Sequence, residues 1–246
     1  MILANIKKAR HGSDGGLFIM TKTYVIIPAA GQGRRFGALK QFQLLEKKPL
    51  LLYALEVFEG SPLIEGIHLM VPETELESTR GLVRENSLKK VKILVGGRER
   101  QDSVRRGFES LPPCDLVMVH DGARPFITAD IVQKSVETAK ELGACIVGIP
   151  VRDTTKRADT DHCVKETLDR SILWSIQTPQ TFRYDIFQKA IQKAEADQFL
   201  GTDESMLVER LGVSVRIIEG SPYNLKVTTP EDLKIAEVLL SVWRSS

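Results

Sequence analysis

Gly31, Gly33, Arg34, Arg35, Gly37 and Lys40 follow directly on residues 24–30, YVIIPAA. Glycines let a ligand approach the main chain closely, and Arg and Lys side chains can face polyphosphate oxygens. Pro28 ends the apolar run, while Ala29 and Ala30 add little bulk beside the approach. This is the chemistry of a phosphate cradle. Its spacing excludes two common versions. Gly31, Gly33 and Gly37 read G-x-G-x-x-x-G, not the G-x-G-x-x-G of a dinucleotide loop, and no G-x-x-x-x-G-K-[ST] is present. An ordinary strand-to-helix turn with solvated arginines is the competing reading, and Lys40 weighs against it.

Other chemically capable residues follow other strand-like runs. After residues 91–95 come Gly96 and Gly97, with Ser103 as a possible helix cap, a set that could wrap a base or ribose. Residues 116–119 run into His120-Asp121-Gly122-Ala123-Arg124-Pro125. There Asp121 could hold a hydroxyl, lie near a metal-bound phosphate or be a plain turn residue, and Arg124 could be its structural partner. Thr154 follows the run 144–149, then come Arg170, the QTPQ of 177–180, Thr202-Asp203-Glu204, and Lys226. Thr202 reads equally well as a helix N-cap. Each position is weak alone, and the ordered set carries the weight.

The elements that must hold these residues alternate along the chain. Strand-like runs fall at 24–27, 66–71, 91–95, 116–119, 144–149 and 213–218, and helical patterns at 49–59, 74–86, 103–110, 129–142, 184–194 and 202–211. A last helix starts with Thr229 as N-cap and Pro230 at its first position. Such alternation predicts an α/β fold: an open, largely parallel sheet with helices on both faces, its ligands lying beyond the carboxyl ends of the strands. Residues 152–171 break the rhythm, being polar and too long for a tight connection. Segments 154–157 and 163–168 are expected to pair as an arm, 151–172, that packs on another subunit; a surface loop is the alternative.

Composition narrows the partners. A formal charge of +2 on 246 residues gives no nucleic-acid footprint, and no apolar run reaches the ~20 residues needed to span a bilayer. The three cysteines form no C-x-x-C pair and the four histidines are scattered, which argues against zinc and for a reduced, cytoplasmic protein. Residues 1–20 differ from the remainder, with basic residues but no signal-peptide core. They are expected to be a poorly ordered extension or an upstream start, leaving 21–246 as one domain.

Taken in order, PAAGQGRRFG, Lys40-Gln41, GGRERQDSV, VHDGARP, PVRDTTKR, LDR, QTPQTF, TDE and NLKVTTPEDL resemble the 2-C-methyl-D-erythritol 4-phosphate cytidylyltransferases of the non-mevalonate isoprenoid pathway. The resemblance runs from about residue 23 to the C-terminus and departs at Leu39, where the family usually has proline. It implies a Rossmann-like nucleotidyltransferase three-layer sandwich with a mostly parallel twisted sheet, and a homodimer joined through the arm. It implies that CTP contacts Pro28, Ala29, Ala30, Gly31, Gly33, Arg34, Gly97, Ser103, Asp121 and Gly122. Arg124, Thr154, Arg170 and Thr202 would hold the polyol phosphate, some of them across the dimer. Arg35, Lys40 and Lys226 match the charge-stabilising residues, and Mg²⁺ would sit mainly on phosphate oxygens, with no protein ligand named. Ribitol 5-phosphate cytidylyltransferases carry similar motifs, and sugar-1-phosphate or molybdopterin nucleotidyltransferases share only the glycine-arginine loop. A catalytically silent nucleotide-binding protein is the reading from outside the enzymes.

Overall fold

The computed structural model describes residues 21–31 and 39–243. The extension 1–20 and the expected site residues Gly33, Arg34 and Arg35 therefore lie outside the described residues. Strand β1 (Thr23–Pro28) places Val25, Ile26 and Ile27 fully inside, as its β-branched run demands. It pairs in parallel with β4 (Ile64–Val71) on one side and β6 (Leu116–Val119) on the other. A short hairpin, β2 (Leu44–Leu45) with β3 (Lys48–Pro49), lies between β1 and β4 in sequence. The main sheet continues through β5 (Val91–Val95), β7 (Ala144–Pro150), β10 (Trp174–Arg183) and β11 (Arg216–Glu219), giving the order β11-β7-β10-β6-β1-β4-β5. Among the described strands of this sheet, only β10 runs antiparallel to its neighbours.

Helices cover both faces. On one side α1 (Leu50–Gly60) and α4 (Ala129–Leu142) pack Leu51, Leu55, Phe58, Val132 and Val136 against Val25, Ile27, Leu69 and Met118. Leu82 and Val83 of α2 (Leu76–Glu85) join that cluster at its edge. On the other side α3 (Arg100–Glu109), α5 (Tyr184–Ala196) and α6 (Glu204–Glu209) bring Phe108, Phe187 and Leu207 onto Ile26, Val117 and Phe182. The closing helix α7 (Pro230–Trp243) buries Ala236 and Leu240 with Leu50 and Phe126. Its cap is as expected: Thr229 Oγ1 accepts from Asp232 N at 3.3 Å, and the Asp232 carboxylate accepts from Thr229 N at 2.9 Å.

The structure departs from the sequence pattern at several points, and helix α3 begins at Arg100 rather than at 103. The sequence pattern marks no strand over 174–183, because WSIQTPQTFR is polar and contains Pro179, both signals against a strand, yet β10 runs there. Its Gln177, Thr178, Gln180 and Thr181 are nonetheless buried, because each finds a hydrogen-bond partner on a neighbouring element. Thr181 Oγ1, for example, lies 2.7 Å from Ser135 Oγ of α4. Pairing with β7 is interrupted between Ile176 and Gln180, where the Thr178–Pro179 bond is cis. The last strand sits at Arg216–Glu219 rather than 213–218. Finally, helix α6 starts later than 202: Asp203 caps it, accepting from Met206 N at 3.1 Å, so Thr202 is not its N-cap. The arm forms as β8 (Lys156–Ala158) antiparallel to β9 (Val164–Thr167), with every residue of both strands exposed.

Candidate active site

The chain leaves β1 through Ala29 and Ala30, and Ala29 N donates to the Met70 carbonyl at 2.8 Å. Gln41, buried behind this turn, donates from Nε2 to the carbonyls of Ala29 at 2.5 Å and Gly31 at 3.4 Å. Both ends of the glycine-arginine segment are thus tied to the sheet. Residues beyond β5 pack onto the same turn. A Cβ on Gly96 would fall 2.2 Å from Ala30 Cβ, and one on Gly97 the same distance from Asp102 Cβ. The two positions need glycine for lack of space. Ser103 is not the cap of α3. Glu99 takes that place, its N–H donating to Asp102 at 3.1 Å, while Ser103 Oγ accepts from Gly97 N at 2.9 Å and fixes the glycine loop. Pro28, Ala29, Ala30, Gly31, Gly97, Ser103, Asp121 and Gly122 then line one cleft, together with Lys226. Gly97→Ala is expected to destabilise the fold by ~1–3 kcal/mol, the cost of relieving such a clash, and a thermal melt matching the wild type would contradict the tight packing of this loop.

The floor of the cleft is the loop after β6. His120 is fully buried and bonded at both nitrogens, to Thr178 Oγ1 and to the Arg124 carbonyl, each at 3.2 Å. Burial pushes its imidazole down to about 4, which keeps it neutral. Neutrality fits the contacts: one ring N–H serves the carbonyl and the bare nitrogen accepts the threonine hydroxyl. Thr178 Oγ1 also accepts from Asp121 N at 3.0 Å. The loop is therefore held from below.

Asp121 is the electrostatic centre. Its Oδ1 lies 3.0 Å from Arg100 Nε, its Oδ2 lies 2.7 Å from Lys226 Nζ, and Arg124 Nε stands 3.8 Å from Oδ2. Burial opposes ionisation, yet Arg100, then Lys226 and Arg124, hold the carboxyl far below its usual range. Burial lowers Arg124, whose Nη1 donates to the Asn224 carbonyl at 2.7 Å. Arg124 and Thr202 line a second cleft with Thr178, Gln180 and Asp203, and Arg100, Asp121 and Lys226 border both clefts. Cations and a fixed carboxylate at a shared wall suit two anionic ligands that must meet.

Most expected residues converge here, but not all. Thr154 and Arg170 lie at the base of the arm and line neither cleft; Arg170 Nη1 donates to the Arg152 carbonyl at 2.7 Å. Lys40 starts a 3-10 turn, Lys40–Phe42, directly before Gln41; its side chain lies outside what is described. Arg100 and Glu204 appear within the motifs GGRERQDSV and Thr202-Asp203-Glu204, but the sequence gives neither a role. Arg100 sits among other charges in GGRERQDSV, and Glu204 looks like an ordinary first-turn acid. Among the described residues no group of three or more His, Cys, Asp or Glu could hold a metal ion. Both oxygens of Asp121 are engaged by cations, so the described side chains do not make a Mg²⁺ cage.

The sequence model of the family "2-C-methyl-D-erythritol 4-phosphate cytidylyltransferase" matches residues 23–242. A protein of that name from Alkaliphilus metalliredigens is 46% identical over 228 residues, covering 91% of this chain and 95% of its own. Another from Geobacter metallireducens is 44% identical, covering 88% of this chain and 97% of its own. Among solved structures, the 4-diphosphocytidyl-2C-methyl-D-erythritol synthase of Anaerococcus prevotii superposes with a TM-score of 0.81 at 27% identity, over 90% of this chain and 96% of that one. The 2-C-methyl-D-erythritol 4-phosphate cytidylyltransferase of Thermus thermophilus gives 0.74 at 29% identity, over 90% and 100%.

Proposed function

Because the chain belongs to the 2-C-methyl-D-erythritol 4-phosphate cytidylyltransferase family, we propose how its residues transfer CMP from CTP to 2-C-methyl-D-erythritol 4-phosphate, releasing pyrophosphate. The observation that carries the reading is the placement of Lys226 on Asp121, at the wall common to both clefts. CTP lies in the first cleft, its base and ribose against Gly97, Ser103, Asp121 and Gly122. The polyol phosphate lies in the second, against Arg124 and Thr202. A phosphate monoester has its second pKa near ~6, so the attacking oxygen is already ionised at neutral pH and needs no base. His120 accordingly positions the loop rather than accepting a proton. The substrate phosphate attacks the α-phosphorus in line, forming one P–O bond as the bond to pyrophosphate breaks. Lys226 neutralises charge gathering at the α-phosphate, with Lys40 and Arg35 supplying the rest on the strength of the motif. Mg²⁺ is expected to accompany the triphosphate on phosphate and water oxygens, and no step here depends on a protein-bound ion.

Two copies of the chain are needed for the second cleft in this reading. Ile172, 74% exposed, joins exposed Val164, Trp174 and Ile176 on the arm and the strand leading from it. Such an apolar set is covered in a homodimer, which would also carry Thr154 and Arg170 to the partner's polyol phosphate. Ile172→Asp is expected to shift the protein to monomer in light scattering and to raise KM for the polyol phosphate. A dimer that survives the substitution would remove the arm from the interface.

No helix among the described residues is long and apolar enough to cross a membrane, and the free cysteines Cys114, Cys145 and Cys163 support action in the cytoplasm. Pyrophosphate release from CTP and Mg²⁺ with each polyol phosphate tests the function. Release with 2-C-methyl-D-erythritol 4-phosphate is expected. Release with ribitol 5-phosphate alone would change the substrate, and no release with either would overturn the activity.

A further inference from the structure

Glu204 is 2% exposed, yet it carries a carboxylate into the interior at the first turn of α6. It receives a two-pronged bond from Arg100: Nη1 to Oε1 at 2.5 Å and Nη2 to Oε2 at 2.9 Å. The other edge of the same guanidinium faces Asp121, with Nε and Nη2 both 3.0 Å from Oδ1. Asp121 in turn holds Lys226. Charges alternate along one line: Glu204 negative, Arg100 positive, Asp121 negative, Lys226 positive. Burial pushes the Glu204 carboxyl up and the Arg100 fork opposes it; Arg100 stays protonated and needs an acceptor for each prong. The line is anchored at its inner end, because Gln180 Oε1 accepts from Glu204 N at 3.1 Å and from Ser205 N at 3.0 Å.

From this geometry we propose that Glu204 and Arg100 are positioning residues for the transfer, setting Asp121 and through it the ammonium of Lys226. The guanidinium is planar and its fork geometry rigid, so fixing one edge on Glu204 fixes where the other edge meets Asp121. Asp121 then has one oxygen committed to Arg100 and the other left for Lys226. Because Arg100 borders both clefts and α6 begins beside Thr202, the same pair fixes the wall shared by the two substrates. The inference rests on the cytidylyl-transfer reading and adds to it a remote carboxylate that touches neither substrate.

The test is a kinetic cycle on the full-length enzyme with Glu204→Gln, which keeps size and acceptor shape but removes the charge. Glu204→Gln is expected to lower kcat roughly tenfold while KM for CTP changes less than about twofold, the mark of an interaction expressed in the transition state. In a Lys226→Ala background the same substitution should cost little more, because its action passes through Lys226. A purely structural role for Glu204 would give equal losses in both backgrounds, or a lower melting temperature with unchanged kcat, and either result overturns the proposal. Should Glu204→Gln fail to fold, Arg100→Lys decides by the same cycle, since its position is 31% exposed and lysine cannot span Glu204 and Asp121 together. A wild-type enzyme that releases no pyrophosphate would instead refute the transfer reading on which the cycle depends.

Discussion

Lys226→Ala is expected to lower kcat by roughly 10²–10³ with KM for CTP nearly unchanged, by analogy with deleting one preorganised donor from an oxyanion site. Two effects add. In the proposed transfer the first is loss of an ammonium aimed at the α-phosphate, whose charge grows only as the new bond forms, so ground-state binding is spared. The second comes from Asp121. With Lys226 gone, its Oδ2 is left facing incoming phosphates, and Arg124 at 3.8 Å is the nearest remaining cation to that oxygen among its described ion pairs. Adding Asp121→Asn to Lys226→Ala should therefore recover part of the loss, although Asp121→Asn alone is expected to be harmful. Folding should survive the lysine substitution, since the side chain is 36% exposed and Arg100 still neutralises Asp121. Steady-state kinetics with pyrophosphate detection checks the split. A variant with near-normal kcat and a raised KM would make Lys226 a binding residue only.

Much of the candidate cleft is legible in residue types because its parts sit at strand ends. Pro28 to Gly31, Gly97, Asp121 and Lys226 each follow an apolar run or precede a capped helix, and the parallel sheet gathers those ends by its own geometry. What was hidden is whatever depends on pairing between distant segments. Glu204 and Arg100 stand 104 residues apart, and nothing local distinguishes a first-turn glutamate that will be buried from one that will be solvated. Strand β10 was hidden for a related reason. Period-2 alternation of apolar and polar residues marks a half-buried strand, whereas Thr178 and Gln180 are buried because His120, Asp121, Asp203 and α6 supply hydrogen bonds. Ser103 and Thr202 show the limit of capping signals. Either residue type can cap, but Glu99 and Asp203 reach the free N–H groups first, releasing Ser103 for Gly97 and leaving Thr202 in the second cleft.

Lowering the pH from 7 to 5 is expected to destabilise the protein, with His120 the principal cause. Its imidazole sits at about 4 in the fold against 6.5 for a free histidine, so the unfolded chain binds the extra proton first. A base depressed on folding contributes stability that is complete above the unfolded value and is lost as pH falls toward the folded one. At ~1.36 kcal/mol per pH unit of difference, the loss is about 2 kcal/mol at pH 5. It approaches about 3 kcal/mol below pH 4. For a chain of this size that corresponds to a fall of roughly 4–8 °C in Tm between pH 7 and 5. The groups acting on the imidazole are Asp121, which favours the proton, and Arg124 and Lys226, which oppose it, while the ring of Phe58 packs edge-on at 5.2 Å. Protonation would also leave the Thr178 hydroxyl without its acceptor on Nδ1, loosening the residue that holds Asp121 N. His68, likewise lowered by burial and 2.6 Å from Ser110 Oγ, acts in the same direction. Asp121 does not contribute in this window, because a depressed carboxylate gives up its stabilisation only below the ordinary carboxylate range. Thermal melts of the wild type and His120→Gln across pH 7 to 5 separate the two histidines. The variant should start lower at pH 7, having lost a fitted ring, but its Tm should fall by less than half as much as the wild type's. Parallel curves would place the acid sensitivity elsewhere and leave His120 as simple packing beneath Asp121.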